Sequence, residues 1–221
     1  MKVLVIGASR GIGLEFVRQY RADAADVTAT ARDDAGLERL RELGATALRL
    51  DVADAASASG LAWQVEGGAF DIAIVNAGVS AHRVAGLDAP TEADFDHVMR
   101  TNVLGPMRVL PQIAEALAPG GRIAVLSSRM GSIGSRTSAG SSLYRASKAA
   151  VNSVVKDASL LLGKRAVCVA FHPGWVRTDM GGAAAPLDVA TSVAAMRRVI
   201  AGLAPGQTGS FLDHDGSAIP W

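Results

Sequence analysis

Tyr144-Arg145-Ala146-Ser147-Lys148 sets a phenol and an ammonium four residues apart, which on a helix places both on one face. A cation held that close favours the phenolate. Bringing a phenol from its ordinary pKa near 10 toward neutrality takes about 3 units, or ~4 kcal/mol of preferential stabilisation. A lysine in a partly dry site supplies much of it, and a second positive charge would add more. Such a tyrosine gives a proton to a carbonyl oxygen in one direction and takes it back in the other. Taken alone, the same spacing more often means aromatic packing beside a snorkelling lysine.

Other residues fall where this pair would need them. Ser127-Ser128 follow an apolar run, so a hydroxyl there sits at a strand end and could hydrogen-bond a substrate oxygen; serine in that place also serves as an ordinary cap or turn residue. Asn102, in Thr101-Asn102-Val103, lies inside a helical stretch although asparagine forms helix poorly. A helix distorted around its carbonyl could hold a water that passes protons to Lys148.

Gly7-Ala8-Ser9-Arg10-Gly11-Ile12-Gly13 joins the first apolar run to the first helical one. Glycines there let the backbone turn tightly and approach a pyrophosphate, while amides at the helix start donate to phosphates. In a chain with 24 glycines this match is weak by itself. The second run ends in Arg32, not in the acidic residue that would bind the ribose hydroxyls of NAD. A guanidinium suits a 2'-phosphate, and Arg10 would add a second charge, so NADP(H) is expected over NAD(H). Pairing of Arg32 with the adjoining Asp33 or Asp34 is the competing account.

Asp51-Val52 closes the third run, where Asp51 could accept from an adenine amino group. Asn76-Ala77-Gly78 closes the fourth, where Asn76 could tie neighbouring strands and Gly78 give a cofactor room. After the sixth run Pro173 and Gly174 stop the strand and leave amides near Val176 and Thr178 for a nicotinamide carboxamide. His172, with no partner in view, reads as a structural strand-end histidine.

These positions require a scaffold of alternating strands and helices. Strands are predicted at 2–6, 27–31, 45–50, 72–75, 122–126, 166–171 and 210–212, and helices at 12–22, 36–43, 55–65, 92–117 and 143–162, the fourth bending or breaking near Pro106. Runs that do not alternate fit strands buried on both faces of a parallel sheet. The Ser/Gly-rich stretch 129–142 reads as a mobile surface loop, and 181–186, almost without side chains, as mobile and open.

Bulk properties narrow the class further. The chain has 221 residues, 49% hydrophobic and 19% charged, enough apolar content for one large core over 1–221. A net charge of +1 from 22 basic and 21 acidic residues gives no electrostatic case for nucleic acid or a membrane surface. Cys168 lies in an apolar run and reads as a small buried hydrophobe, which with the absence of a signal-like N-terminus points to a reducing cytoplasm. No metal site is expected.

Along nearly its whole length the chain resembles the short-chain dehydrogenase/reductase family. The landmarks are the Gly7 to Gly13 loop, Asn76-Ala77-Gly78, Asn102, the serine with Tyr144 and Lys148, and Pro173-Gly174, in the family's order. The 127–133, 144–148 and 173–180 segments and the ending Pro220-Trp221 are similar to the branch of C-factor and sniffer-type carbonyl reductases. The resemblance implies a Rossmann-like, doubly wound, mostly parallel sheet of seven strands with helices on both faces. It also implies a tetrad of Asn102, Ser128, Tyr144 and Lys148, with Tyr144 and Lys148 touching the cofactor too. The implied partner is a small carbonyl or alcohol substrate, the implied assembly a homodimer or tetramer, and the branch leaves open a cofactor-binding regulator. Two departures stand out. Ile6 replaces a frequent threonine that would brace the glycine loop, and the gap from Ser128 to Tyr144 is about three residues longer than the family's usual spacing, leaving Ser132 as the alternative serine.

Overall fold

The computed structural model describes residues 1–80 and 86–221. Runs rich in valine, isoleucine and alanine form one sheet from Lys2–Ile6 (β1), Asp26–Ala31 (β2), Thr46–Arg49 (β3), Phe70–Val75 (β4), Leu117–Leu126 (β5), Val167–His172 (β6) and Phe211–Asp213 (β7). The strands lie in the order β3-β2-β1-β4-β5-β6-β7, each neighbouring pair parallel. Strand order reverses between β1 and β4, and the crevice beyond their carboxyl ends is where a doubly wound sheet takes a ligand.

Helices cover both faces. Gly11–Ala22 (α1), Asp34–Glu42 (α2) and, near the end of the chain, Val189–Gly202 (α8) lie on one; Phe16, Leu40, Val193 and Met196 pack there against Val3, Val5 and Val169. On the other face, Leu61–Val65 (α4), Gly105–Glu115 (α6) and Ser142–Leu162 (α7) bring Leu61, Ile113, Val151 and Val155 against Leu4, Ile6 and Ile123. Alternate residues of β1 therefore enter different cores, which is why the strand is apolar without a break. Short Ala55–Ser59 (α3) and Glu92–Met99 (α5) complete the set.

Several predicted elements need correction. The stretch 55–65 is two helices, interrupted at Gly60. The stretch 92–117 ends at Glu115, and Leu117 already belongs to β5. Its break falls just before Pro106 as a π-helical turn over Arg100–Leu104 that contains Asn102, in which the Gly105 N–H bonds the Arg100 carbonyl five residues back. Proline is the cause: Pro106 has no N–H to give the Asn102 carbonyl four residues before it, so the turn widens upstream. α8 was absent from the sequence reading. Asp188 starts it, accepting from the Thr191 N–H at 2.7 Å.

Candidate active site

The glycine loop is shaped by contacts across the switch point. Gly7 has φ +83°, and a Cβ there would lie 2.7 Å from the Ala77 Cα, so only glycine lets the two loops meet. The Asn76 side chain donates to the Gly7 carbonyl at 2.6 Å, tying β4 to β1 as expected of it. Thr30 of β2 accepts from the Gly7 N–H at 2.9 Å. This neighbouring strand thus supplies the brace that Ile6 does not, a role missed from sequence. Arg10 is the residue before α1 and makes no side-chain cap to it, so the first-turn amides stay available to an anion.

A cleft of about 470 Å³ opens over this loop. Gly7, Ser9, Arg10, Gly11, Ile12, Arg32, Asp51, Val52, Asn76, Ala77, Gly78, Tyr144, Lys148, Pro173 and Thr178 line it. Gly13, Gly174 and Val176 stand behind these residues. Val176 is buried and bridges to Leu187, and Gly174, at φ +86°, packs where a Cβ would meet the Leu187 side chain at 2.7 Å. At the far end both candidate partners of Arg32 are otherwise engaged: Asp33 caps α2 by accepting from the Gly36 N–H, and Asp34 pairs with Arg49. Arg10 pairs across the cleft with Asp179.

The other end is lined by Tyr144 and Lys148, with Thr101 and Ser127, while the candidates Asn102 and Ser128 are not part of the lining. Ser128 leaves β5 and heads a 3-10 turn, Arg129–Gly131, its Oγ accepting from the Met130 N–H at 3.2 Å. Desolvation lifts the Tyr144 pKa above its ordinary value, outweighing Ser128, which acts on Tyr144 in the sense that favours the phenolate. Tyr144 is half-buried, whereas Lys148 is buried, its Nζ 5.8 Å from the Tyr144 ring centroid and donating to the Leu126 carbonyl at 2.9 Å. Burial pushes its pKa down to about 8. Desolvation thus governs both groups, whereas the sequence reading had the lysine charge lowering the tyrosine.

Asn102 is buried, and its side chain is fully used: Oδ1 accepts from the Val79 N–H at 2.8 Å, and Nδ2 donates to the Val79 carbonyl at 2.9 Å and the Ser147 hydroxyl at 3.0 Å. What remains for chemistry is its main-chain carbonyl, freed by Pro106. Ser132, the alternative serine, is fully buried and spends its hydroxyl on the Pro220 carbonyl and Ser135. The stretch 129–142 is therefore partly core, not wholly surface loop. His172 ends β6 with its pKa pushed down to about 4, chiefly by burial.

The segment 181–186 is also pinned down. Trp175 Nε1 donates to the Gly181 carbonyl at 2.9 Å, Arg177 Nη1 to the Ala185 and Pro186 carbonyls at 3.0 Å each, and the Ala185 side chain is buried. Among the described residues no cluster suited to a metal ion occurs, and no helix is long and apolar enough to cross a membrane.

A parallel doubly wound sheet with this glycine loop and a Tyr-Lys helix at its edge has counterparts among known proteins. Residues 1–186 match the short chain dehydrogenase family, and the chain belongs to it. C-signal of Myxococcus xanthus is 43% identical over 157 residues, covering 70% of this chain and 94% of that protein. A short-chain dehydrogenase/reductase of Burkholderia multivorans with bound NADP matches with a TM-score of 0.90 at 31% identity, over 100% of this chain and 99% of its own. The carbonyl reductase Sniffer of D. melanogaster matches with a TM-score of 0.86 at 29% identity, over 100% and 99%. The resemblance read from the motifs, to the C-factor and sniffer branch, is borne out.

Proposed function

We propose that this chain is a carbonyl reductase that uses NADP(H) in preference to NAD(H). The observation that carries the reading is the Tyr144–Lys148 pair, Nζ 5.8 Å from the ring centroid, at one end of a cleft whose other end presents Arg10 and Arg32. The cleft fits the cofactor: a backbone cradle at Gly7 that a Cβ would fill, uncapped α1 amides for the pyrophosphate, and two guanidinium groups for a 2'-phosphate. NADPH, when bound, supplies the hydride.

The protein's own groups do the rest. Ser128 orients the carbonyl oxygen, and Tyr144 delivers its proton there. Lys148 holds the cofactor ribose and favours the phenolate left behind. The Asn102 carbonyl anchors the water through which Lys148 and Tyr144 recover protons. Asp51 and Asn76 hold the adenine side and the loop, and the amides near Val176 and Thr178 hold the carboxamide.

The test is NADPH oxidation with a panel of aldehydes, ketones and quinones, run on wild type and Tyr144→Phe. Wild type is expected to turn over at least one of them, and the variant to lose about 10²- to 10⁴-fold in kcat while keeping NADPH affinity. Tyr144→Phe with unchanged turnover would sink the assignment. A second reading, a nucleotide-binding regulator with little turnover, draws on the identity to C-signal; wild type that binds NADPH yet reduces no carbonyl would favour it. The retained Tyr144, Ser128 and Lys148 geometry weighs toward the enzyme.

A further inference from the structure

We propose that Asp213 is a positioning residue for the acid–base pair, acting through Arg129 to hold in place the turn that Ser128 heads beside α7. The proposal rests on the reading of Ser128 and Tyr144 as the reacting pair. β7 is only three residues long, and its last residue, Asp213, pairs in register with His172. Asp213 is 7% exposed. Its Oδ1 accepts from the His214 N–H at 2.7 Å and lies 2.5 Å from His214 Nδ1, while Oδ2 takes the Arg129 guanidinium.

Arg129 directly follows Ser128 and begins the 3-10 turn that Ser128 caps. Its side chain crosses the carboxyl end of β6 to reach β7. On the opposite side the turn is pressed onto α7, where a Cβ on Gly131 would come within 2.7 Å of the Lys148 carbonyl carbon. The turn is therefore clamped from α7 and from β7. With its Oγ accepting from Met130, Ser128 keeps its hydroxyl proton to donate, and the clamp fixes the position of that oxygen.

Strand pairing does not require this carboxylate, since β7 is held by its backbone and by the buried Phe211 and Leu212. A buried charge costs stability unless its partners compensate, and an apolar residue would pack an edge strand as well. Burial works to raise the Asp213 pKa, but the bonds from His214 and Arg129 prevail and hold it below the usual carboxylate range. His172, kept neutral by burial, does not compete with Arg129 for the carboxylate. The charged or titratable groups around Asp213 are thus Arg129, His172, His214 and Asp215, and the one beside Tyr144 is Lys148.

The experiment compares full-length Asp213→Asn, Arg129→Lys, Arg129→Met and Ser128→Ala, using NADPH and a carbonyl that wild type reduces, and the matching alcohol with NADP across pH. Asp213→Asn and Arg129→Met are expected to lower kcat about tenfold, with NADPH affinity within about twofold of wild type. Their pH profile for alcohol oxidation should move to higher pH, as in Ser128→Ala, because the phenolate loses a donor. Arg129→Lys should keep most of the rate, and Asp213→Asn combined with Arg129→Met should be no worse than either alone. An unmoved pH profile in Asp213→Asn overturns the proposal, whether kcat is unchanged or falls together with stability and NADPH affinity. If Ser128→Ala itself leaves rate and profile unchanged, the reading of the reacting pair fails instead.

Discussion

Lys148 is buried, donates to one carbonyl, and has no carboxylate partner among the described residues. Holding an ammonium there disfavours the folded state, and the fall of its pKa from 10.5 to about 8 measures that cost at roughly 3 kcal/mol. Below about pH 8 the folded protein bears the whole penalty. Between there and the unfolded value the folded lysine gives up its proton while the unfolded one keeps it, so wild-type stability rises with pH over that window. Lys148→Met should therefore melt higher than wild type at neutral pH, the gap closing as pH approaches 10.5, while activity is lost. A variant that melts lower than wild type at pH 7 would refute this account. On the proposed function, that lost stability is the cost of keeping an ammonium beside Tyr144.

Within the elements, the closest fit is between the serine turn and α7. Gly131→Ala would set a Cβ 2.7 to 2.9 Å from Lys148 backbone and side-chain atoms, so the turn or the helix must move. A loss of about 1–3 kcal/mol is expected, together with a larger fall in kcat than in NADPH affinity, because the displaced turn carries Ser128. Chemical denaturation and steady-state rates check both halves. Such fits also mark the limit of what a sequence discloses. The strands were readable because burial on both faces leaves unbroken Val/Ile runs, and Tyr144, Lys148 and the glycine loop because their chemistry depends on local spacing. The distortion at Asn102 was readable because asparagine forms helix poorly, but its π form was not, because it depends on Pro106 four residues downstream. α8 was missed although Asp188 and the Val193-Met196-Ile200 spacing announce it; its alanine and glycine neighbours merge into a loop-like stretch. Thr30 bracing Gly7 spans 23 positions and Arg129 reaching Asp213 spans 84, and no local pattern encodes such pairings.

Across the whole molecule the cleft joins an end with Arg10 and Arg32 to an end with Tyr144 and the buried Lys148, and one ion pair crosses it. Arg10 comes from the glycine loop and Asp179 from the segment after β6, both largely exposed. On the proposed function a 2'-phosphate and Asp179 compete for the same guanidinium, while Arg32, its neighbouring carboxylates engaged elsewhere, meets the phosphate unopposed. Arg32→Asp should then shift the ratio of NADPH to NADH efficiency toward NADH, and an unaltered ratio would refute the role of that strand end. Asp179→Asn should act oppositely. An exposed pair contributes little, so NADPH should bind only about two- to fivefold tighter at low ionic strength, the gain disappearing by about 0.5 M salt, with NADH affinity unmoved. Tighter binding of both cofactors would instead locate the effect in the shape of the segment after Pro173-Gly174, and weaker NADPH binding would mean that the ion pair orders the loop the phosphate needs.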